Sequence, residues 1–336
     1  MLIEPTEHGL YCAAGDFYID PWRPVDRALI THAHADHARA GHGRYWAAAD
    51  GEALLRHRLG SDIDCQSVAY GESLTFGAAR VSFHPAGHIL GSSQIRVEAG
   101  GEVWVASGDY KRDHDPTCTD FEIVPCDTFI TEATFALPVY RWAPAAAVAR
   151  DIATWWQANA DAGRASVLFC YSLGKAQRLL AELASCPGLP QAHAYLHGAL
   201  VPLTRIYREA GIEMLATEAV SDQPKGHDFS NALALAPPSA AGSRWMRRFG
   251  EHRTGFASGW MRIRGNRRRR GYDRGFVLSD HADWPGLIDT IDATGASRVL
   301  ATHGRTDVLV GFLRQRGIDA APLITDYADG PEGETD

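Results

Sequence analysis

The segment RALITHAHADHARAGH, residues 27–42, constrains this chain more tightly than any other. His32, His34, Asp36 and His37 follow directly on the apolar run Ala28-Leu29-Ile30, and His42 lies just beyond. Such a run reads as the end of a buried strand, so the polar cluster sits where a strand opens into a loop. Histidine and carboxylate are the usual ligands of zinc and similar divalent ions. One histidine in a polar loop needs no function, but HxHxDH at a strand exit is a ligand pattern. A fold that uses it has to bring further ligands from other strands to the same edge.

Further candidates exist at the ends of other expected strands. They are Asp20 in FYIDP, His88 in HPAGHILGS, Asp109 in VWVASGDYKR, Glu132 in FITEATF, His281 in FVLSDHAD and His303 in VLATHGR. Taken singly, Asp109 reads as a turn former, His88 as a core histidine and His303 as a helix-start residue. Taken with HxHxDH, they supply the roughly seven or eight nitrogen and oxygen ligands that a two-metal centre draws from several strands.

The first 135 residues read as short strands between turns, among them DFYID, RALIT, SVAY, ARVSFHPA, SQIRVE, EVWVASGD and DTFITEA, with a short helix at GEALLRHRLG. From Pro144 the texture changes. PAAAVARDIATWWQANADAGR predicts a helix with Pro at its start and Gly163 at its stop, and strands and helices then alternate as in a parallel α/β sheet. GFVLSDHADWPGLIDTIDATGASRVLATHGRTDVLVGFLRQRG predicts strand, helix, strand, helix, and the tail DGPEGETD predicts disorder. No apolar run is long enough to span a bilayer, and the N-terminus lacks the basic and apolar regions of a signal peptide. Six cysteines without a CxxC pair predict reduced thiols in a cytoplasmic protein.

Net charge is −8, yet residues 244–274 hold eleven arginines against Glu251 and Asp273, a local charge of +9. Arginine's planar fork suits phosphate, so this strip predicts contact with a polyanion, most densely at Arg267, Arg268, Arg269 and Arg270. Trp260 and Tyr272 within it read either as base-stacking or as core residues, whereas Trp155 and Trp156 read as core. SLGKAQRL lacks the spacing of a nucleotide-binding loop, but Ser172, Lys175 and the helix-start amides there remain candidates for a substrate phosphate.

The order HxHxDH, His, Asp and a late His resembles the metallo-β-lactamase superfamily. Glu132 and His281, with a long insertion between them, resemble its β-CASP nuclease branch. Over nearly the whole chain, GLYCAAGDFYIDPWRPVDRALITHAHADHARAGH, HPAGHILGSSQIRVE, SGDYKRD, YSLGKAQRLL, APPSA, FASGWM, RRRRGYDRGFVLSDHADWPGL and THG resemble the bacterial ligase-associated DNA exonucleases. That group is itself similar to mRNA 3′-end processing factors.

The resemblance implies an α/β protein, an αββα sandwich built from residues 1–138 and 275–336 with a β-CASP cap at 139–274. It implies two divalent ions, zinc foremost and manganese as the alternative. His32, His34 and His88 would hold one, Asp36, His37 and His303 the other, and Asp109 would bridge them. Asp20 would orient a ligand histidine, Glu132 would orient His281 toward the leaving group, and Asp36 counts with these among the catalytic residues. His42 and His84 match no ligand motif and read as structural. The implied activity is DNA end hydrolysis alongside an ATP-dependent DNA ligase and a helicase. A ribonuclease and a catalytically silent nucleic-acid-binding subunit are the alternatives, and the full ligand set argues against the second.

Overall fold

The structure is a computed structural model that describes residues 1–263 and 271–326. Arg267–Arg270 and the acidic tail lie outside the described residues. Contacts divide the chain into two units, one of Met1–Arg141 with the chain from His281 onward, the other of Trp142–Asp280.

In the first unit, β1 (Glu4–Pro5), β2 (Leu10–Cys12), β3 (Phe17–Ile19), β4 (Arg27–Leu29), β5 (Arg44–Ala48) and β6 (Cys65–Val68) form one sheet in chain order. It is antiparallel as far as β3 and parallel from there. A second sheet runs β19 (Asp319–Pro322), β18 (Arg298–Thr302), β11 (Thr128–Glu132), β10 (Glu102–Ala106), β9 (Ser93–Ala99), β8 (Ala79–Pro85) and β7 (Ser73–Phe76). Its β7–β10 half is antiparallel and its β10–β19 half parallel.

Side-chain alternation along the strands builds three apolar layers. Phe17, Ile19, Leu29 and Trp46 of the first sheet join Val81, Phe83, Ile95 and Ile130 of the second in one core. On the outer face of the second sheet, Val105, Phe129 and Val299 pack with Leu287 and Ile291 of the helix Trp284–Thr294 and Leu309 and Leu313 of the helix Thr306–Gln315. Ala28, Ile30 and Tyr45, on the outer face of the first sheet, pack with Leu55 of the helix Glu52–Leu59. Leu29 therefore faces one layer and its neighbours the other, and the result is the expected αββα sandwich. Each fully buried Phe or Leu contributes about 1.5–3 kcal/mol.

The second unit is a parallel sheet in the order β14 (Ala216–Ala219), β13 (His193–Leu196), β15 (Leu233–Ala236), β12 (Ala165–Phe169), β16 (His252–Ala257) and β17 (Arg274–Phe276). Helices Ala145–Asp161 and Lys175–Ala184 cover one face, burying Ile152, Trp156, Leu179 and Leu183 against Leu168, Leu233 and Leu235. Trp155 packs edge-on to Phe276 at 5.5 Å, which settles both tryptophans of that helix as core residues. Tyr272 stacks on Phe256 at 5.1 Å and also meets Phe169, so its ring is committed to packing, and Trp260 packs against the same cluster.

One expected strand is corrected. β17 stops at Phe276, so His281 does not end a strand; it lies in the loop before the helix Trp284–Thr294. After Phe276, Leu278 enters the apolar core of the second unit, and ion pairs to Asp280 hold the chain instead of ladder bonds. The helix that follows starts where its sequence says it should. Asp283 caps it by accepting the Gly286 N–H at 2.9 Å, Pro285 stands in its first turn, and Gly295 at φ 67° ends it.

Candidate metal centre

In the first unit the polar residues gather at strand exits. Asp20 follows β3, Thr31 to His37 follow β4, His88 follows β8, Asp109 follows β10, Glu132 ends β11 and His303 follows β18. Parallel neighbours deliver these exits to one edge. Asp20 and His303 are held at positive φ, 41° and 60°, a conformation non-glycine residues adopt at some cost and retain where side-chain direction matters.

Three groups of side chains come close enough to hold an ion: His32, His34, His88 and Asp109; Asp36, His37 and His303; and Asp109, Glu132 and His281. His34 Nδ1 lies 3.1 Å from His32 Nε2 and equally 3.1 Å from His88 Nε2, so three imidazole nitrogens converge on one point. Asp109 Oδ2 stands 3.5 Å from His32 Nε2, 3.6 Å from His37 Nε2 and 3.8 Å from His88 Nε2. Those separations are too long for hydrogen bonds and suit ligand atoms sharing cations. Asp109 Oδ1 is buried without a hydrogen-bond partner among the described residues. An acceptor so placed is costly unless a cation meets it. The residues present therefore fit divalent metal binding.

The electrostatics agree. Burial drives the His32 imidazole well below its usual range, helped by His37, His34 and His88, and burial with His37 takes His303 down to about 4. Both are bare bases at neutral pH, as ligation requires. Burial raises the Asp109 carboxyl to about 7 even though His37 and His281 pull it down. Burial alone would lower His37, but Asp36, Asp109 and Asp20 carry it up to about 10. Acids crowded this closely want a positive charge among them.

Asp20 and Glu132 support the centre from behind. Asp20 Oδ2 accepts from His37 Nδ1 at 2.7 Å, leaving Nε2 as the nitrogen that faces Asp36 and Asp109. Glu132 Oε2 lies 2.8 Å from His281 Nδ1, and the His281 ring stands 4.7 Å from that of His88.

The sequence-derived ligands thus come together, as do Glu132 and His281. Lys175 is a correction. Its Nζ is buried 2.9 Å from Asp280 Oδ2, so its charge is spent inside the second unit rather than offered to a phosphate. Ser172 is likewise buried. His42 accepts the Val25 N–H at 3.3 Å and His84 pairs with Ser82 and Glu122, apart from the ligand groups. Sequence reasoning passed over Thr31, whose only signal was its place beside the first ligand histidine, and Asp280, whose partners are remote in sequence.

No family model matches the chain. A protein named Probable DNA ligase from Opitutus terrae is 34% identical over 327 residues, covering 93% of this chain and 30% of that protein. Ribonuclease TTHA0252 of Thermus thermophilus is 24% identical over 221 residues, 58% of this chain and 48% of its own. Endoribonuclease YSH1 of Gibberella zeae is 24% identical over 222 residues, 54% and 26% of the two chains. The chain spans less than half the length of each of these relatives. A solved structure of a protein of unknown function from Enterococcus faecalis V583 shares the fold, with a TM-score of 0.56 at 10% identity over 89% of this chain and 79% of that one.

Proposed function

We propose that the chain, whose fold is that of the β-CASP branch of the metallo-β-lactamase superfamily, is a two-metal phosphodiesterase that degrades DNA from its ends. The observation that carries this reading is the placement of Asp109. One carboxylate oxygen faces imidazoles of both ligand groups, and the His281–Glu132 pair shares its third neighbourhood. His32, His34 and His88 would hold one ion, Asp36, His37 and His303 the other, with Asp109 between them. A histidine-rich N/O set suits zinc, and manganese is the alternative. When bound, such ions supply an activated water and neutralise charge building on a phosphate.

The protein's own residues do the rest. Asp20 and Glu132 fix imidazole orientation through their Nδ1 hydrogen bonds. In hydrolysis the water oxygen bonds to phosphorus and the bond to the leaving oxygen breaks. His281, tethered at Nδ1, presents Nε2 to give that oxygen its proton.

DNA is favoured because an alignment that spans nearly the whole chain is to a protein named as a DNA ligase, which also supports work beside a DNA ligase. The relatives named as ribonucleases support RNA as the second reading. Six cysteines with no disulfide among them fit a cytoplasmic setting, and no helix among the described residues is long and apolar enough to cross a membrane. The test is hydrolysis of end-labelled single- and double-stranded DNA and RNA, with closed circular DNA as control, in zinc and in manganese. Linear DNA should be cut fastest and the circle should resist. Faster cutting of RNA would establish the second reading, and a nicked circle would rule out dependence on ends.

A further inference from the structure

We infer that the Thr31 hydroxyl links the two ligand groups, so that the single carboxylate of Asp20 sets the orientation of one histidine in each. The inference rests on the two-metal reading above and adds a positioning residue to it.

Thr31 is buried at the exit of β4, immediately before His32. Its Oγ1 lies 2.5 Å from Asp20 Oδ2. A carboxylate only accepts, so the single hydroxyl proton of Thr31 goes to Asp20. The same Oγ1 stands 3.1 Å from His32 Nδ1. With its proton already given, the hydroxyl can only accept there, and His32 must carry its hydrogen on Nδ1. That leaves His32 Nε2 bare, and it is the atom facing His34 Nδ1 and Asp109 Oδ2. Asp20 Oδ2 accepts directly from His37 Nδ1 at 2.7 Å, which turns His37 Nε2 toward Asp36 and Asp109. One chain of hydrogen bonds, His37 to Asp20 to Thr31 to His32, therefore orders a ligand from each group.

The surrounding backbone is built around this hydroxyl. The Thr31 N–H donates to Asp20 Oδ1 at 2.7 Å, and the Thr31 carbonyl accepts from both the N–H and the Oγ of Ser93, at 2.8 and 3.0 Å. Gly108, at φ 54°, faces it without a side chain. A Cβ there would stand 2.7 Å from Thr31 Cβ and 2.8 Å from Oγ1, so residue 108 has to be glycine on both counts. If Thr31 merely filled space, valine would serve equally well.

The test compares wild type, Thr31→Val and Thr31→Ser by Zn(II) titration against a chromophoric chelator. Groups that orient metal-binding histidines change affinity by about 10–100-fold when removed. Thr31→Val should fall in that range for the ion held by His32, His34 and His88, and Thr31→Ser should stay within a few-fold of wild type. Full affinity in Thr31→Val overturns the inference, and so does an equal loss in Thr31→Ser, which would assign the effect to the methyl group. A second readout is the ring-proton NMR spectrum of the Zn(II)-loaded protein labelled with 15N-histidine. His32 should carry its proton on Nδ1 and lose its hydrogen-bonded shift in Thr31→Val, while His37 keeps its own. A wild-type protein that binds two ions with His32 protonated at Nε2 sinks the relay alone. One that takes up no zinc sinks the metal reading and the relay with it.

Discussion

Nδ1 of His281 lies 2.8 Å from Oε2 of Glu132, and the other Glu132 oxygen takes the Tyr110 N–H at 2.7 Å. Burial alone would raise the Glu132 carboxyl, but the His281 imidazole and the hydrogen bonds from His281, Thr134 and Tyr110 together hold it below the usual range. A carboxylate kept ionised in this way holds one proton on Nδ1 and favours a second on Nε2, the one His281 would give to the leaving oxygen. His281→Ala should slow turnover by about 10²–10⁴ while bound metal is retained, and Glu132→Gln should follow in the same direction with a smaller loss. Steady-state kinetics beside elemental analysis checks this. Metal lost in step with activity would move His281 into the ligand set, a role its closeness to Asp109 also permits.

Asp109 and His303 should behave differently from His281. Asp109 faces both ligand groups, so Asp109→Ala should abolish hydrolysis and deplete both ions. His303 stacks on His37 at 5.2 Å in one group only, so His303→Ala should lower the zinc content by about one of the two ions. Elemental analysis of both variants after extensive dialysis decides it. An active, fully loaded Asp109→Ala protein would end the shared-carboxylate assignment.

His42 gives the fold an acid-sensitive point away from the ligands. Burial pushes its imidazole down to about 4, against Asp20 and with help from Arg39. Its Nδ1 accepts the Val25 N–H at 3.3 Å and must be unprotonated to do so. The unfolded chain takes up this proton near 6.5 and the folded one only near 4. The stability tied to neutral His42 is therefore full above about 6.5 and drains away as pH falls toward 4. His42→Asn keeps an acceptor without the titration. It should lose less stability than wild type between about pH 7 and pH 4.5, measured as urea midpoints. Identical losses in the two proteins would exclude His42 as a source of acid sensitivity.

Much of this was legible in the sequence, because the informative patterns are local. HxHxDH after Ala28-Leu29-Ile30 marks the strand exit at which the candidate ligands gather, and Pro144 and Gly163 bracket the helix Ala145–Asp161. What stayed hidden depends on partners distant in the chain. β5, RYWAA, has no clean alternation because Tyr45, Trp46, Ala47 and Ala48 are all buried, on both faces of the sheet. The apolar run Val277-Leu278 looks like strand, yet the ladder stops at Phe276 because the chain is next held by ion pairs at Asp280. Thr31 carries no signal of its own, since its role exists only once Asp20 and His37 are folded against it.

Those ion pairs yield the last prediction. Lys175 Nζ is 2.9 Å from Asp280 Oδ2, with the two side chains only 1% and 5% exposed. Arg178 Nη1 is 3.4 Å from the other oxygen and donates to the Ser279 carbonyl at 2.7 Å. Lys175 and Arg178 sit one turn apart on the same face of their helix, so both cations reach one carboxylate. Removing one member of a buried pair typically costs about 3–5 kcal/mol, because the other charge is left stranded. Arg178 still attends Asp280 in Lys175→Met, so the loss should fall near about 3 kcal/mol. Asp280→Asn should cost less in that background than in wild type, since the two changes break the same interaction. A lysine that bound DNA phosphate would behave otherwise. Its loss would leave stability alone and reduce the salt slope of binding by about 0.7 on single strands. Urea midpoints for the cycle and salt titrations of DNA binding separate the two roles. A Lys175→Met protein of unchanged stability with a flattened salt slope would return Lys175 to the nucleic-acid surface.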